Sequence, residues 1–177
     1  GFGTYPQTRG MPELRLAIRD FLCRRFNLLH GIDANTEILP VTGSREALFA
    51  FAQAVISPID GGLTMMPNPF YQIYEGAAIL AGSEPRYINC TADNAFLTDF
   101  DDVSDAEWQR CQLLYLCTPG NPTGAVMPIE QLKQIIALSD KYDFIIASDE
   151  CYSEIYLDET NPPPGILQAA SELGRDD

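Results

Sequence analysis

"LCTPGNPTGAVMPIEQLKQIIALSDKYDFIIASDECYSEIY", residues 116–156, decides the fold of this chain. One apolar run ends in the Asn-Pro-Thr-Gly turn at 121–124, a helical pattern follows, and a second apolar run ends at Asp149. A strand, a helix and a further strand in this order predict two parallel strands joined by a crossover helix. Ligands of open α/β sheets bind at the carboxyl ends of the strands. The turn and Asp149 are therefore expected to face one bound molecule.

The rest of the chain repeats this alternation of strands and helices. Leu14, Ile18, Phe21 and Leu22 recur at helical spacing within 11–26. The segments 38–56 and 63–82 each predict a strand, a turn and a helix. A further strand is predicted at 86–90 and a buried strand at 112–117, whereas the acidic segment 91–108 predicts a solvated loop with a short helix start. The predicted fold is α/β, a three-layer and mostly parallel sheet with helices on both faces.

The bulk composition excludes several classes of function. With 177 residues, 46% of them hydrophobic, the chain is long enough for one domain with a buried core. No apolar run approaches the roughly 20 residues of a membrane span, and the first ten residues lack the features of a signal peptide. The formal net charge of -14 argues against a nucleic-acid partner, because phosphate neutralisation needs clustered lysine and arginine.

The cysteine and histidine content predicts neither disulfides nor a metal site. The five cysteines are odd in number and show no Cys-x-x-Cys spacing, which favours reduced thiols in a cytoplasmic protein. His30 is the single histidine, and no Cys/His cluster supplies metal ligands. Metal chemistry is not expected.

The "TGSREAL" stretch, residues 42–48, is a candidate phosphate site. A glycine turn between a strand and a helix leaves backbone amides unpaired, and the helix dipole favours an anion there. The amides near Ser44 and Arg45, with the Ser44 hydroxyl, would face that anion. The alternative is an ordinary tight connection between a strand and a helix.

Polar and aromatic side chains at the strand ends are the other candidates. Asp149 closes an apolar strand, where an ionised carboxylate is costly unless a cation or donor meets it, although it could also be a helix N-cap. Tyr152 follows three residues later, and Asn121 begins the turn. Tyr71 and Tyr74 follow another strand end and could be core residues or a stacking platform for a flat ring. Pyridoxal 5'-phosphate (PLP), a flat phosphorylated ring with a basic nitrogen, would account for all of these groups together.

Several separated motifs resemble those of class I/II, fold-type I PLP-dependent aminotransferases over almost the whole chain. "GTYPQTRGMPELR", "NPFYQIYEGAAILAG" and "ASDECYSEIY" are most similar to the proteobacterial branch that acts on N-succinyl-diaminopimelate in the lysine and peptidoglycan-precursor pathway. The resemblance implies transfer of an amino group from glutamate, with release of 2-oxoglutarate, to a keto acid. It also implies that residues 1–177 are a partial large, cofactor-binding domain.

The resemblance also implies a role for each candidate residue. Tyr71 matches the aromatic residue that stacks on the pyridine ring, and Asp149 the carboxylate that pairs with the ring nitrogen. Asn121 and Tyr152 match the two donors to the ring hydroxyl oxygen.

The phosphate contacts implied by the resemblance involve two subunits. Ser44 and Arg45 match positions that hold the cofactor phosphate. Tyr5 matches a tyrosine that reaches the phosphate of the neighbouring subunit, which implies a homodimer with shared active sites.

One departure from the family pattern concerns lysine. The family anchors its cofactor on a lysine in a Ser-x-Ser-Lys-like stretch, which this sequence lacks, and its only lysines, Lys133 and Lys141, match other positions. The family's N-terminal arm, the rest of its large domain and its C-terminal small domain are also expected to be absent from these 177 residues. These 177 residues are therefore expected to be inactive alone.

Three other functions fit parts of the same evidence. A carbon–sulfur β-lyase shares the Asn, Asp and Tyr constellation, and a transcription regulator can carry an aminotransferase-like effector domain. The third is an unrelated doubly wound domain that binds another phosphate ligand, for which the sequence lacks G-x-G-x-x-G and Walker-type loops.

Overall fold

The structure is a computed structural model that describes residue 3 and residues 5–175. Four strands alternate with six α-helices along the described chain. In order, the elements are α1 (Pro12–Arg25), α2 (Ser44–Val55), β1 (Leu63–Asn68), α3 (Ile73–Leu80), β2 (Glu84–Asn89), α4 (Asp105–Trp108), β3 (Cys111–Cys117), α5 (Ile129–Tyr142), β4 (Ile145–Asp149) and α6 (Ile166–Glu172).

The four described strands form one parallel sheet in the order β2-β1-β3-β4. At its carboxyl edge, Cys117 of β3 lies opposite Asp149 of β4, and Asn68 of β1 lies opposite Asn89 of β2. The loops that follow β1, β3 and β4 therefore meet at one edge. This edge is where the sequence predicts the ligand.

Helices cover both faces of the sheet, which confirms the predicted three layers. Leu114 and Leu116 of β3 point into the core under α5 and α6, whereas Leu113 and Tyr115 point into the core under α2 and α3. Alternation along one strand thus supplies two cores, because successive side chains of a strand face opposite sides. A strand buried on both faces has to be apolar throughout, as residues 112–117 are.

Local sequence accounts for the ends of the helices. Pro128 stands immediately before α5 with extended backbone (φ -63°, ψ 151°), and Asp143 ends that helix in the left-handed conformation (φ 60°). Gly82 follows α3 at φ +83°, which only glycine adopts without strain. The predicted turn after β3 is confirmed, since residues 121–123 form a turn.

The short strand predicted at the start of 38–56 is not formed. Residues 38–43 pair with none of the four described strands. Pro40 has no amide hydrogen to donate to a ladder, and the neighbouring Leu39 and Val41 are exposed. The predicted glycine turn and apolar helix that follow are confirmed by α2.

The described residues contain neither a membrane-spanning helix nor a cluster of metal ligands. None of their helices combines the length and hydrophobicity that a bilayer crossing demands. None of their His, Cys, Asp and Glu side chains cluster in groups of three or more that could hold a metal ion. The five cysteines are free thiols.

Candidate functional site

Asp149 is a buried carboxylate at the carboxyl edge of the sheet. It is the last residue of β4, and only 7% of it is exposed. Its Oδ2 accepts a hydrogen bond of 2.7 Å from the Tyr74 hydroxyl, and its Oδ1 accepts a long one of 3.4 Å from the Cys151 amide. One carboxylate oxygen is therefore firmly held, and the other keeps acceptor capacity.

Tyr74, which holds Asp149, is rigidly packed. Its side chain is fully buried, and its ring stacks on that of Tyr115 with centroids 4.5 Å apart and planes 10° apart. The Tyr115 hydroxyl in turn donates to the carbonyl oxygen of Leu48 in α2, at 2.8 Å. Burial raises the pKa of Tyr74, as do the nearby Cys117 thiol and Asp149 carboxylate. The Tyr74 hydroxyl therefore keeps its proton and acts as a donor.

Tyr71 and Arg45 extend this cluster towards the start of α2. The half-buried Tyr71 meets Tyr74 edge to face, with centroids 5.9 Å apart. Arg45 Nε donates to the Tyr71 hydroxyl oxygen at 2.6 Å, and that bond raises the pKa of the guanidinium further. An unbroken series of contacts thus links Arg45, Tyr71, Tyr74 and Asp149.

The N-terminus of α2 presents backbone amides beside Arg45. The N-cap is Gly43, which provides no side-chain cap, and the first bond of the helix runs from the Ala47 amide to the Gly43 carbonyl at 3.2 Å. The amides of Ser44, Arg45 and Glu46 precede that bond, so helix geometry leaves them without an intrahelical acceptor. Ser44 is exposed there. The Glu46 carboxylate lies beside Gly43, 2.9 Å from where a β-carbon on that glycine would be, and partly occupies the same region.

Asn121 and Tyr152 lie together in a second part of the same edge. Both line a cavity of about 410 Å³ between the loops that follow β3 and β4. The Thr118 amide, just before the turn, donates to the Asp149 carbonyl at 3.2 Å and joins the two loops. Asn121 is half-buried. The structure therefore brings six of the predicted site residues to one edge of the sheet, in two adjoining groups.

Tyr5 and the two lysines lie apart from these groups. The Tyr5 residue is 98% exposed, so it packs against none of the other site residues. Lys133 forms ion pairs with Glu130 and Glu172, at 3.0 and 2.9 Å, on α5, which covers the opposite face of the sheet from Tyr74. Lys141 at the end of α5 binds the Tyr142 hydroxyl. These partners raise the pKa of both lysines, which therefore stay charged.

The thiols beside Asp149 are not activated. Burial raises the pKa of Cys117, and burial together with Asp149 raises the pKa of Cys151 to about 11. Both thiols therefore stay protonated at neutral pH and are poor nucleophiles. The neighbouring Cys151 side chain and burial raise the pKa of Tyr152, which keeps its hydroxyl a donor. Within the described residues, the site offers hydrogen-bond donors, one carboxylate and an aromatic face.

The sequence alone does not distinguish a core role from a stacking role for Tyr74, and it does not predict the bond to Asp149. A signal for it exists in the spacing. Tyr71 and Tyr74 are three residues apart, which places them on one side of the segment that leads into α3. A phenol on the buried side of an otherwise apolar helix needs a hydrogen-bond partner, which Asp149 provides.

Comparisons with known proteins agree with this geometry. The family model "Aminotransferase class I and II" matches residues 1–173. An LL-diaminopimelate aminotransferase of Aquifex aeolicus is 35% identical over 174 residues, which cover 96% of this chain and 44% of that protein. A second LL-diaminopimelate aminotransferase, from Halothermothrix orenii, is 34% identical over 172 residues, or 97% of this chain and 43% of that protein.

A solved structure gives the same result at higher identity. An aminotransferase from Neisseria meningitidis Z2491 superposes with a TM-score of 0.90 at 52% identity, covering 97% of this chain and 43% of that one. The chain therefore spans less than half the length of the relatives that it matches. Its fold, its site and the match over nearly its whole length show that the chain belongs to the class I and II aminotransferase family.

Proposed function

We propose that these residues are the partial large, cofactor-binding domain of an aminotransferase that transfers an amino group between N-succinyl-diaminopimelate and 2-oxoglutarate, with glutamate as the other amino acid of the reaction. The family is PLP-dependent. The relatives named LL-diaminopimelate aminotransferases support a substrate of the diaminopimelate class. The observation that carries the proposal is the buried Asp149 carboxylate, held by a tyrosine at the carboxyl edge of the sheet.

The donors and acceptors at the site fit PLP. The free acceptor capacity of Asp149 suits a protonated pyridine nitrogen, because a buried carboxylate stabilises a cation beside it. The Tyr71 ring, half-buried and edge-on to Tyr74, offers a face for stacking. Asn121 and Tyr152 offer an amide and a hydroxyl to the ring hydroxyl oxygen from the adjoining cavity.

The start of α2 fits the phosphate. Three amides at the start of α2 lack intrahelical acceptors, Arg45 belongs to the same first turn, and helix N-termini bind phosphate groups. The Glu46 carboxylate beside Gly43 would be displaced by a dianion, because like charges repel.

PLP supplies an electron sink that stabilises negative charge on the substrate carbon. The chain's own residues orient it and keep its ring nitrogen protonated. A base that moves the substrate proton is also needed. Because Lys133 and Lys141 are paired on α5, we propose that this base is a lysine outside these 177 residues, which are then inactive alone.

The proposed substrate can be tested with purified full-length protein and added PLP. The amino donor is either N-succinyl-LL-diaminopimelate or LL-diaminopimelate, 2-oxoglutarate is the acceptor, and glutamate is measured. The succinylated donor is expected to have at least about a tenfold higher kcat/KM, because a site built for the succinyl group leaves polar groups unpaired with the shorter donor.

Other outcomes would correct the proposed substrate, the proposed reaction or the proposed cofactor. A preference for LL-diaminopimelate would change the substrate and keep the reaction. Release of thiol and pyruvate from a cysteine thioether, without transfer to 2-oxoglutarate, would favour the β-lyase. Failure of the wild-type protein to bind PLP would overturn the proposed activity itself.

We also propose a homodimer in which Tyr5 contacts the phosphate held by the partner subunit. Its side chain is nearly fully exposed and can meet a second chain. Sedimentation equilibrium of the full-length protein is expected to give the mass of two subunits. Tyr5→Phe is expected to weaken PLP binding by about tenfold, the effect of losing one hydrogen bond to a charged group. A monomer with full PLP affinity would contradict this arrangement.

A further inference from the structure

We propose that Tyr74 is a positioning residue that fixes one oxygen of Asp149 and so presents the other to the ring nitrogen of PLP. This inference rests on the proposed function. Tyr74 itself does not touch the cofactor in this assignment. It acts through the carboxylate.

The contact between the two side chains is strong and shielded. The Tyr74 hydroxyl and Asp149 Oδ2 are 2.7 Å apart, and both residues are buried. An ionised carboxylate only accepts hydrogen bonds, so the hydroxyl proton points at Oδ2. Hydrogen bonds to a charged group away from water are among the strong ones in proteins.

The surrounding rings hold Tyr74 in place beside Asp149. Tyr115 stacks on its ring, and Tyr71 meets it edge to face. The alanines of α3 beside it, Ala77 and Ala78, are fully buried in the same core. A ring enclosed in this way holds its hydroxyl oxygen beside Oδ2 of Asp149.

The two oxygens of Asp149 are therefore unequal before any ligand arrives. Oδ2 has the short bond from Tyr74, whereas Oδ1 accepts from the Cys151 amide at 3.4 Å, near the limit of a hydrogen bond. The Cys151 thiol also interacts with this carboxylate, as a neutral and weak donor. Oδ1 is the oxygen with lone pairs to offer. The hydrogen bond from Tyr74 stabilises the ionised form of the Asp149 carboxylate. The proton between this carboxylate and the pyridine nitrogen therefore stays on the nitrogen.

The test uses Tyr74→Phe in the full-length protein loaded with 15N-labelled PLP. The phenylalanine keeps the ring and its stacking but removes the donor. The 15N chemical shift of the bound ring nitrogen at neutral pH is expected to move towards the unprotonated value, with about a tenfold fall in the protonated-to-neutral ratio. The dissociation constant of PLP is expected to rise by about tenfold, as when a residue that orients a ligand-binding group is lost.

Tyr115→Phe is the matched control. It removes the other buried hydroxyl of the stacked pair, which donates to the Leu48 carbonyl and not to Asp149. The control is expected to lose some thermal stability and to leave the 15N shift at the wild-type value. Equal shifts in the two variants would overturn the positioning role, because they would mark a purely structural effect.

Two further results keep the inference separable from the proposed function. If the wild-type protein binds no PLP, the proposed function fails and this assignment fails with it. If the wild type binds PLP with a protonated nitrogen and Tyr74→Phe leaves it so, the positioning role alone is wrong.

Should the Tyr74→Phe chain not fold, a ring-fluorinated tyrosine at position 74 gives a stronger donor. It is expected to raise the protonated-to-neutral ratio, and an unchanged ratio would overturn the role.

Discussion

Asp149→Asn is expected to lower the transamination rate of the full-length protein by at least about 100-fold, the typical cost of removing one preorganised charge-stabilising contact. The carboxylate is buried at the carboxyl edge of β4 and is the group best placed to stabilise a protonated ring nitrogen. An asparagine amide can instead donate to an unprotonated nitrogen, so cofactor can still bind. An unprotonated ring withdraws electrons less strongly than a protonated one. The fall in rate should therefore appear in kcat.

The matched control for this variant is Asp143→Asn. Asp143 is exposed at the end of α5, where its left-handed backbone (φ 60°) suits asparagine as well as aspartate. It removes the same charge from the chain without touching the site, and its rate should equal that of the wild type. Wild-type turnover by Asp149→Asn, measured as glutamate formed per active site, would remove this residue from the mechanism.

Tyr71→Ala is expected to weaken PLP binding by roughly 5- to 150-fold, which corresponds to the 1–3 kcal/mol that stacking on an aromatic ring contributes. The half-buried Tyr71 ring stands at the start of α3, and its hydroxyl oxygen accepts from Arg45 at 2.6 Å. Alanine removes both the ring and this bond. Equilibrium dialysis against PLP measures the change.

Tyr71→Phe separates the two losses. It keeps the ring for stacking but releases Arg45, so the difference between the two variants reports the stacking alone. Phenylalanine is expected to restore most of the binding. If alanine binds PLP as tightly as the wild type does, Tyr71 is a packing residue only.

Most of the fold could be predicted because its signals are local. The apolar runs at 112–117 and 144–148 become β3 and β4, and the helical spacing after Pro128 becomes α5. The prediction of a strand at the start of 38–56 is wrong. An apolar run shows hydrophobicity, but a strand also needs a neighbour to pair with, and none of the described strands lies beside it.

The residues of the candidate site could be predicted from the sequence, but only some of the contacts between them could. Asp149 and Asn121 were found because polar residues at the ends of buried strands meet at one edge. The bond from Tyr74 to Asp149 joins residues 75 positions apart. It depends on how α3 packs on the sheet, which tertiary contacts decide and local spacing does not reveal.

Every strand pair of the described sheet is parallel, so none of them can form as a hairpin. Tyr74 and Asp149 meet only after β1, β3 and β4 have associated across long intervening segments. Such distant pairings are slow, because the entropy of loop closure is lost before the contacts form. A cofactor that binds where Tyr74 and Asp149 come together binds the native state and not the incompletely folded chain. It therefore stabilises the native state by mass action. The supply of cofactor during synthesis is then coupled to the fraction of chains that reach the native fold.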